Sequence, residues 1–243
     1  MSDLPALAEI DVLILCGGIG SRLKPAVSDR PKPMAEISDR PFLDILIDHV
    51  SGFGFSRFIL CTGYMKDSIS GYYRNKTAPV EIVFSEEEMA LGTGGALRNA
   101  EGHIKSRSFI VMNGDSFCPM NYREFTEFHF ARKSVISLAL SYVSDASEYG
   151  IVECDSSFRV TSFSEKGKKK EGLVNTGIYL MERQVLSRIP AGRAYSLEYD
   201  LFPSYIGQGF YGYTTGEGFI DIGTPERYDK ARTLLSQRYR KET

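Results

Sequence analysis

Histidine is scarce in this chain: His49, His103 and His129 stand far apart, each in a helical context. That excludes a histidine-rich zinc centre and a histidine-activated nucleophile from the expected chemistries. The four cysteines, Cys16, Cys61, Cys118 and Cys154, form no CxxC pair, and no signal peptide precedes them. They are expected to be buried, reduced thiols of a cytoplasmic protein rather than a disulfide framework. No apolar run approaches the roughly 18 residues that a membrane span needs. Charge of one sign is also missing, since 29 basic and 31 acidic residues leave a formal net charge of −2. Neither nucleic acid nor a membrane surface is an expected partner, so any anion site has to be local. With no low-complexity linker and no internal repeat, the 243 residues read as one unit, 1–243.

What is present is concentrated near the start. Residues 10–34 read IDVLILCGGIGSRLKPAVSDRPKPM, a short apolar run that breaks into Gly17, Gly18 and Gly20 and is followed by Arg22, Lys24 and Lys32. Glycines let successive backbone N–H groups converge on an anion. Arg22 adds a planar fork and Lys32 a point charge, both suited to phosphate oxygens. The run is neither a Walker A loop nor a dinucleotide fingerprint, because the Gly-Lys-Ser/Thr ending and the third glycine are missing. A glycine-rich turn with surface cations is the plainer alternative.

Apolar, β-branched runs at 12–16, 58–62, 80–84 and 108–112 alternate with amphipathic stretches at 42–53, 66–73 and 95–103. This pattern predicts a three-layer α/β/α, Rossmann-like arrangement around a mostly parallel mixed sheet. Ligands then gather at the carboxyl ends of the strands, where the glycine loop lies. Beyond residue 133 the chain favours strands, at 135–143, 150–154, 160–164, 173–180, 210–214 and 219–222. Helical turns fall near 183–189 and 197–206, and a helix closes the chain from 225 to about 240. Residues before Ile10 and the basic end from Arg238 read as solvated surface.

Cys-Gly-Gly-Ile-Gly-Ser-Arg-Leu followed by Pro-Lys-Pro-Met resembles the signature of the sugar-1-phosphate nucleotidyltransferases, and later motifs extend the likeness over nearly the whole chain. Within that family, Val27-Ser28-Asp29, Leu91–Leu97 and Phe219–Gly223 most resemble the D-glycero-D-manno-heptose 1-phosphate guanylyltransferases. The resemblance implies the family's nucleotide-diphospho-sugar transferase fold, with 1–133 mainly binding nucleotide and 134–243 mainly binding sugar phosphate. It also implies Mg²⁺ as cofactor, an NTP and a sugar 1-phosphate as small-molecule partners, and leaves homo-oligomerisation open.

The resemblance assigns residues as well. Cys16, Gly17, Gly18, Gly20, Ser21, Arg22, Gly92, Thr93 and Gly114 match nucleotide-binding positions, and Arg22, Lys32, Asp115 and Asp221 the catalytic set. Asp115 and Asp221 match the metal aspartates. Taken alone, Asn113-Gly-Asp115 is a turn, and Asp221 could cap the last helix, although Thr224 before Pro225 suits that better. Residues 86–97 match the nucleobase loop and otherwise read as an acidic surface loop. If the preceding strand stays extended, Val83, Ser85 and Glu87 share one side. An ionised Glu87 would then accept from guanine's two adjacent donors, which uracil and thymine lack. Gly150, Glu165, Lys166, Asn175 and Thr176 match sugar-phosphate positions, with Lys166 also readable as part of the solvated run Lys168–Lys170. Gly167 stands where the family has proline, loosening that loop.

The expected reaction is attack by the sugar 1-phosphate on the α-phosphorus of GTP, releasing pyrophosphate. Its nucleophile is already an anion, in keeping with the absence of a placed histidine. The same chemistry with dTTP, UTP or CTP and a hexose 1-phosphate, or a non-catalytic nucleotide-sugar-binding regulator, are the alternatives. A glycosyltransferase is disfavoured because no Asp-x-Asp is present.

Overall fold

The computed structural model of the protein describes residues 4–164 and 171–238. In chain order its elements are β1 (Asp11–Leu15), β2 (Glu36–Ile37), β3 (Arg40–Pro41), α1 (Phe42–Ser51), β4 (Arg57–Thr62), α2 (Lys66–Arg74), β5 (Glu81–Glu86) and α3 (Gly92–Asn99). There follow β6 (Ser108–Asn113), β7 (Ser116–Phe117), α4 (Tyr122–Ala131), β8 (Ile136–Val143), β9 (Ile151–Cys154), β10 (Val160–Ser164) and β11 (Gly172–Glu182). After a turn of 3-10 helix (Arg183–Arg188) and one of π-helix (Leu197–Leu201) come α5 (Phe202–Tyr205), β12 (Phe210–Thr214), β13 (Ile220–Asp221) and α6 (Pro225–Arg238).

The strands β5-β4-β1-β6 are mutually parallel, which sends all their carboxyl ends to one edge. β11 then pairs antiparallel with β6 through Ile178–Glu182 and with β8 along most of its length, while its start meets β9 at Val174↔Ile151. β12 closes the far side parallel to β8. Alternate residues of the central strands feed two cores. Val12, Ile14, Phe58, Leu60, Ile110 and Met112 face α1, α2, α4 and α6. Leu13, Ile59, Phe109 and Val111 face α3 and residues 185–205. Strands buried on both faces explain why their sequences are continuous apolar runs.

Four expectations need correction. α3 begins at Gly92, three residues before the predicted start, and ends in a 3-10 turn at Ala100–His103. α4 is not among the predicted helices; Asn121 caps it, accepting from the N–H groups of Arg123 and Glu124. The tail before Ile10 is not wholly solvated, because Leu7 is buried against the first core. All four cysteines are free thiols, but Cys154 is only half-buried. Among the described residues, no helix is long and apolar enough to cross a membrane.

His49 on α1 lies edge-on or tilted against Phe53, Phe117 and Tyr122. Burial, helped by positive Arg238, holds its pKa down from 6.5 to about 4. The fold therefore favours neutral imidazole, and this contribution is complete above pH 6.5 and lost as pH falls through about 4. Buried His129 is shifted the same way. Melting temperature should decline across that interval, and His49→Phe, which keeps an aromatic ring there, should flatten the decline. An unchanged slope in scans across pH would clear His49 of the effect.

Candidate active site

A cavity of ≈500 Å³ opens at the carboxyl ends of β1 and β6. It is lined by Cys16–Ser21, Lys32, Glu87, Gly92, Thr93, Asn113 and Asp115, among others. β1 ends at Leu15 and the chain turns through the glycine loop. Gly20 has φ +62, and a side chain there would sit 3.2 Å from the stem of Lys32. That glycine thus lets the lysine lie along the loop and bring Nζ to within 2.7 Å of Asp115 Oδ2. Gly114 is tight for a related reason: a Cβ would stand 2.8 Å from the Leu15 carbonyl. Cys16 contributes to the wall as a buried thiol, its pKa pushed well up by burial, so it is no nucleophile.

Glu87 lies just past β5 with its side chain buried, as that of Ser85 is. Its Oε2 accepts from the Leu91 N–H at 3.1 Å. Oε1 sits 3.2 Å from where a Cβ on Gly17 would be, so glycine at 17 makes room for the carboxylate. Burial raises this carboxyl's pKa and the Leu91 N–H opposes the rise. The glycines of α3 have a structural reason that sequence did not reveal. The N–H groups of Gly94 and Gly95 both donate to the Tyr195 carbonyl, and a Cβ at Gly94 would come within 2.8 Å of the Tyr195 ring. Thr93 donates to Glu198 at 2.9 Å, and Tyr179 donates to the same carboxylate at 3.1 Å while accepting from Asn175 at 2.9 Å. One carboxylate therefore links the α3 loop to the β11 bulge.

The second half contributes from β11 and β13. Gly177, at φ +79, lies where a Cβ would strike Asn113 Nδ2 at 2.5 Å, so the bulge in β11 packs directly on the residue two before Asp115. Thr176 is buried and donates to the Ala139 carbonyl at 2.9 Å; Asn175 Oδ1 accepts from Gly177 N–H at 2.7 Å. Gly150 is half-buried beside Tyr149. Glu165 and Lys166 lie outside the described residues. β13 pairs with β7 so that Asp221 faces Ser116, and Ile222 N–H donates to the Asp115 carbonyl at 3.0 Å. That short ladder joins the backbone around Asp115 to the backbone around Asp221. Thr224 takes the capping position of α6, its Oγ1 accepting from Arg227 N–H at 3.4 Å, which leaves Asp221 for another purpose.

Arg22 does not line the cavity; its guanidinium lies near Gly223, two residues past Asp221. Its Nη2 lies 3.7 Å, and Arg227 Nη1 3.9 Å, from the position a Cβ on Gly223 would take. Arg227 and Tyr149 are partners of Asp221 that sequence reasoning missed. Tyr149 OH donates to Oδ2 at 2.6 Å, and Arg227 Nη1 lies 3.1 Å from both oxygens. Arg22, Lys32 and Arg227 bring three cations to this end of the sheet, where Asp115, Asp221, Glu87 and Glu148 supply the carboxylates, and such cations suit phosphate oxygens. Two carboxylates with no sulfur or imidazole donor fit a hard divalent cation completed by phosphate oxygens. Among the described residues, no group of three or more His, Cys, Asp and Glu side chains forms a self-sufficient metal cage.

A sequence model of the nucleotidyl transferase family matches residues 11–238. The D-glycero-alpha-D-manno-heptose 1-phosphate guanylyltransferase of Aneurinibacillus thermoaerophilus is 35% identical over 227 residues, spanning 93% of this chain and 98% of that protein. A protein of the same name from Campylobacter jejuni is 35% identical over 219 residues, spanning 90% and 97%. The crystal structure of HddC from Yersinia pseudotuberculosis complexed with GMP-PN matches with a TM-score of 0.83 and 36% identity, covering 93% of this chain and 99% of that one.

Proposed function

The chain belongs to the nucleotidyl transferase family, and from that premise we propose that it transfers a guanylyl group from GTP to D-glycero-D-manno-heptose 1-phosphate. The observation carrying this reading is the convergence of the glycine loop, Lys32, Asp115 and Glu87 on one cavity at the strand ends. The named relatives supply the choice of nucleotide and sugar.

In this reading a phosphate oxygen of the sugar 1-phosphate forms a bond to the α-phosphorus of GTP as the bond to pyrophosphate breaks. The nucleophile needs no deprotonation, so the protein's work is positioning and charge neutralisation. Residues 17–21 and Arg22 hold the triphosphate, and Lys32 neutralises the α-phosphoryl group. Mg²⁺ held by Asp115 and Asp221 would supply Lewis-acid polarisation of the phosphoryl oxygens. Gly150, Asn175 and Thr176, with Glu165 and Lys166, make up the sugar-phosphate side in this proposal, and a cytoplasmic location goes with it.

A panel crossing four NTPs with heptose and hexose 1-phosphates, read by pyrophosphate release, tests the assignment. GTP with heptose 1-phosphate should give the highest kcat/KM; binding without turnover on any pair would leave a non-catalytic binder instead. Glu87 is assigned to the base, where its carboxylate would accept from guanine N1–H and the exocyclic amine. A good pair of such contacts discriminates by about 1–3 kcal/mol. Glu87→Gln should therefore lower the ratio of kcat/KM for GTP over dTTP by about tenfold or more, and an unchanged ratio would remove Glu87 from base selection.

A further inference from the structure

Both aspartates assigned to the divalent cation rest on protein cations. Asp115 is held by Lys32 at 2.7 Å. Asp221 is more completely occupied: Oδ1 accepts from Gly223 N–H at 2.9 Å, Oδ2 from Tyr149 OH at 2.6 Å, and both lie 3.1 Å from Arg227 Nη1. A carboxylate surrounded this way has little capacity left for a metal, which needs a lone pair free of a competing positive charge. One of these donors has to leave before Asp221 can act as a ligand.

Geometry identifies which. The Gly223 N–H is backbone in a tight turn. Tyr149 is wedged edge-on against Phe219, ring centroids 5.2 Å apart, and lies beneath the Arg227 guanidinium at 4.6 Å. Arg227 is the remaining donor, and it is the charged one. One nitrogen is shared between two oxygens at 3.1 Å, longer than the roughly 2.7–2.9 Å of a good charge-assisted contact and without the two parallel bonds of a fork-on-carboxylate pair. Its second nitrogen reaches Glu148 at 2.7 Å, on the loop that carries Tyr149 and Gly150. The guanidinium thus spans from Asp221 to the segment matched to the sugar side, with Arg22 also close to Gly223.

We propose that Arg227 is an exchange residue: its guanidinium holds Asp221 in the substrate-free protein and passes to the phosphate of the incoming sugar 1-phosphate, releasing Asp221 to the divalent cation. This rests on the function proposed above. No covalent bond changes in the exchange; a contact in which one nitrogen is shared by two carboxylate oxygens is replaced by a phosphate contact, for which the guanidinium fork is better matched. The two events are then linked, so sugar phosphate and cation promote each other's binding through one side chain.

The test measures Mn²⁺ affinity of the substrate-free protein by electron paramagnetic resonance, alongside steady-state kinetics. Arg227→Gln should bind Mn²⁺ about fivefold or more tightly, within the usual range of coupling between sites, and raise KM for the sugar 1-phosphate by a similar factor while KM for GTP stays unchanged. Tyr149→Phe removes a neutral donor and should tighten Mn²⁺ without raising KM for the sugar 1-phosphate. A purely structural arginine would lower melting temperature and kcat without this opposed pair of shifts, and that result overturns the exchange. Asp221→Ala separates the two levels of the argument. If it leaves Mn²⁺ affinity untouched in the Arg227→Gln background, where no guanidinium holds the carboxylate, Asp221 is not a cation ligand, and both the exchange and that ligand assignment fall. If it weakens Mn²⁺ while Arg227→Gln moves neither constant, only the exchange falls.

Discussion

Asp115→Ala and Lys32→Ala are each expected to lower kcat by about 10²- to 10³-fold, the loss typical of removing one preorganised group that stabilises developing charge. The two residues are in contact at 2.7 Å, at the end of β6 and on the loop after β1. In the proposed reaction they part, Lys32 going to the α-phosphoryl oxygens and Asp115 to the cation. Groups that act as a unit are not additive, so the double variant should fall little further than the worse single one. KM for GTP should change less than kcat, because the triphosphate keeps the glycine loop and Arg22. Single-turnover measurement with saturating GTP and sugar 1-phosphate separates chemistry from release; near-wild-type rates in both variants would end the proposed mechanism.

The largest expected effect on stability lies at the opposite edge of the sheet. Asp11, at the start of β1, is almost fully buried and accepts from Arg57 Nη1 at 2.7 Å, from the N–H groups of Lys105 and Ser106 at 2.6 and 2.8 Å, and from Ser106 Oγ at 3.1 Å. These donors outweigh the effect of burial and hold its pKa below the usual carboxylate value. Arg57 also reaches the His103 carbonyl at 2.8 Å and Glu81 at 3.0 Å. Arg57→Leu leaves a buried carboxylate without its counter-charge, a change that costs about 3–5 kcal/mol. Because the backbone donors remain, the lower end applies, and melting temperature should drop by roughly 6–12 °C. Asp11→Asn with Arg57→Leu should recover part of the loss. Calorimetry on the three variants checks this, and additive losses would deny the coupling.

Sequence legibility followed from where the information sits. The central strands were readable because both faces are buried, leaving uninterrupted runs such as Val12–Cys16 and Phe109–Met112. The placing of glycines 17, 18 and 20 and of Asp115 at the strand ends follows from a rule that needs no tertiary detail, whereas the Lys32–Asp115 contact is tertiary and was not readable. The partners of Asp221 were not readable, because Tyr149 and Arg227 come from a loop and a helix whose approach depends on the β7–β13 register. Glu198 was missed for a similar reason: its donors Thr93 and Tyr179 meet only once Tyr195 has seated on α3. α4 did carry a local sign, Asn121 with Glu124 three residues on, their side chains joined at 2.8 Å. The aromatic residues that follow read equally well as strand, which obscures that cap.

The ladder between β7 and β13 has only two residues on each side. Too short to persist alone, it depends on α6 docking after nearly all the intervening chain is in place. The ladder joins β7 to β13 across a long stretch of chain, so it carries a loop-closure cost that the packing of α6 has to offset. Loosening α6 would therefore release Asp221 while the glycine loop, carried on the parallel strands β4, β1 and β6, stays in place.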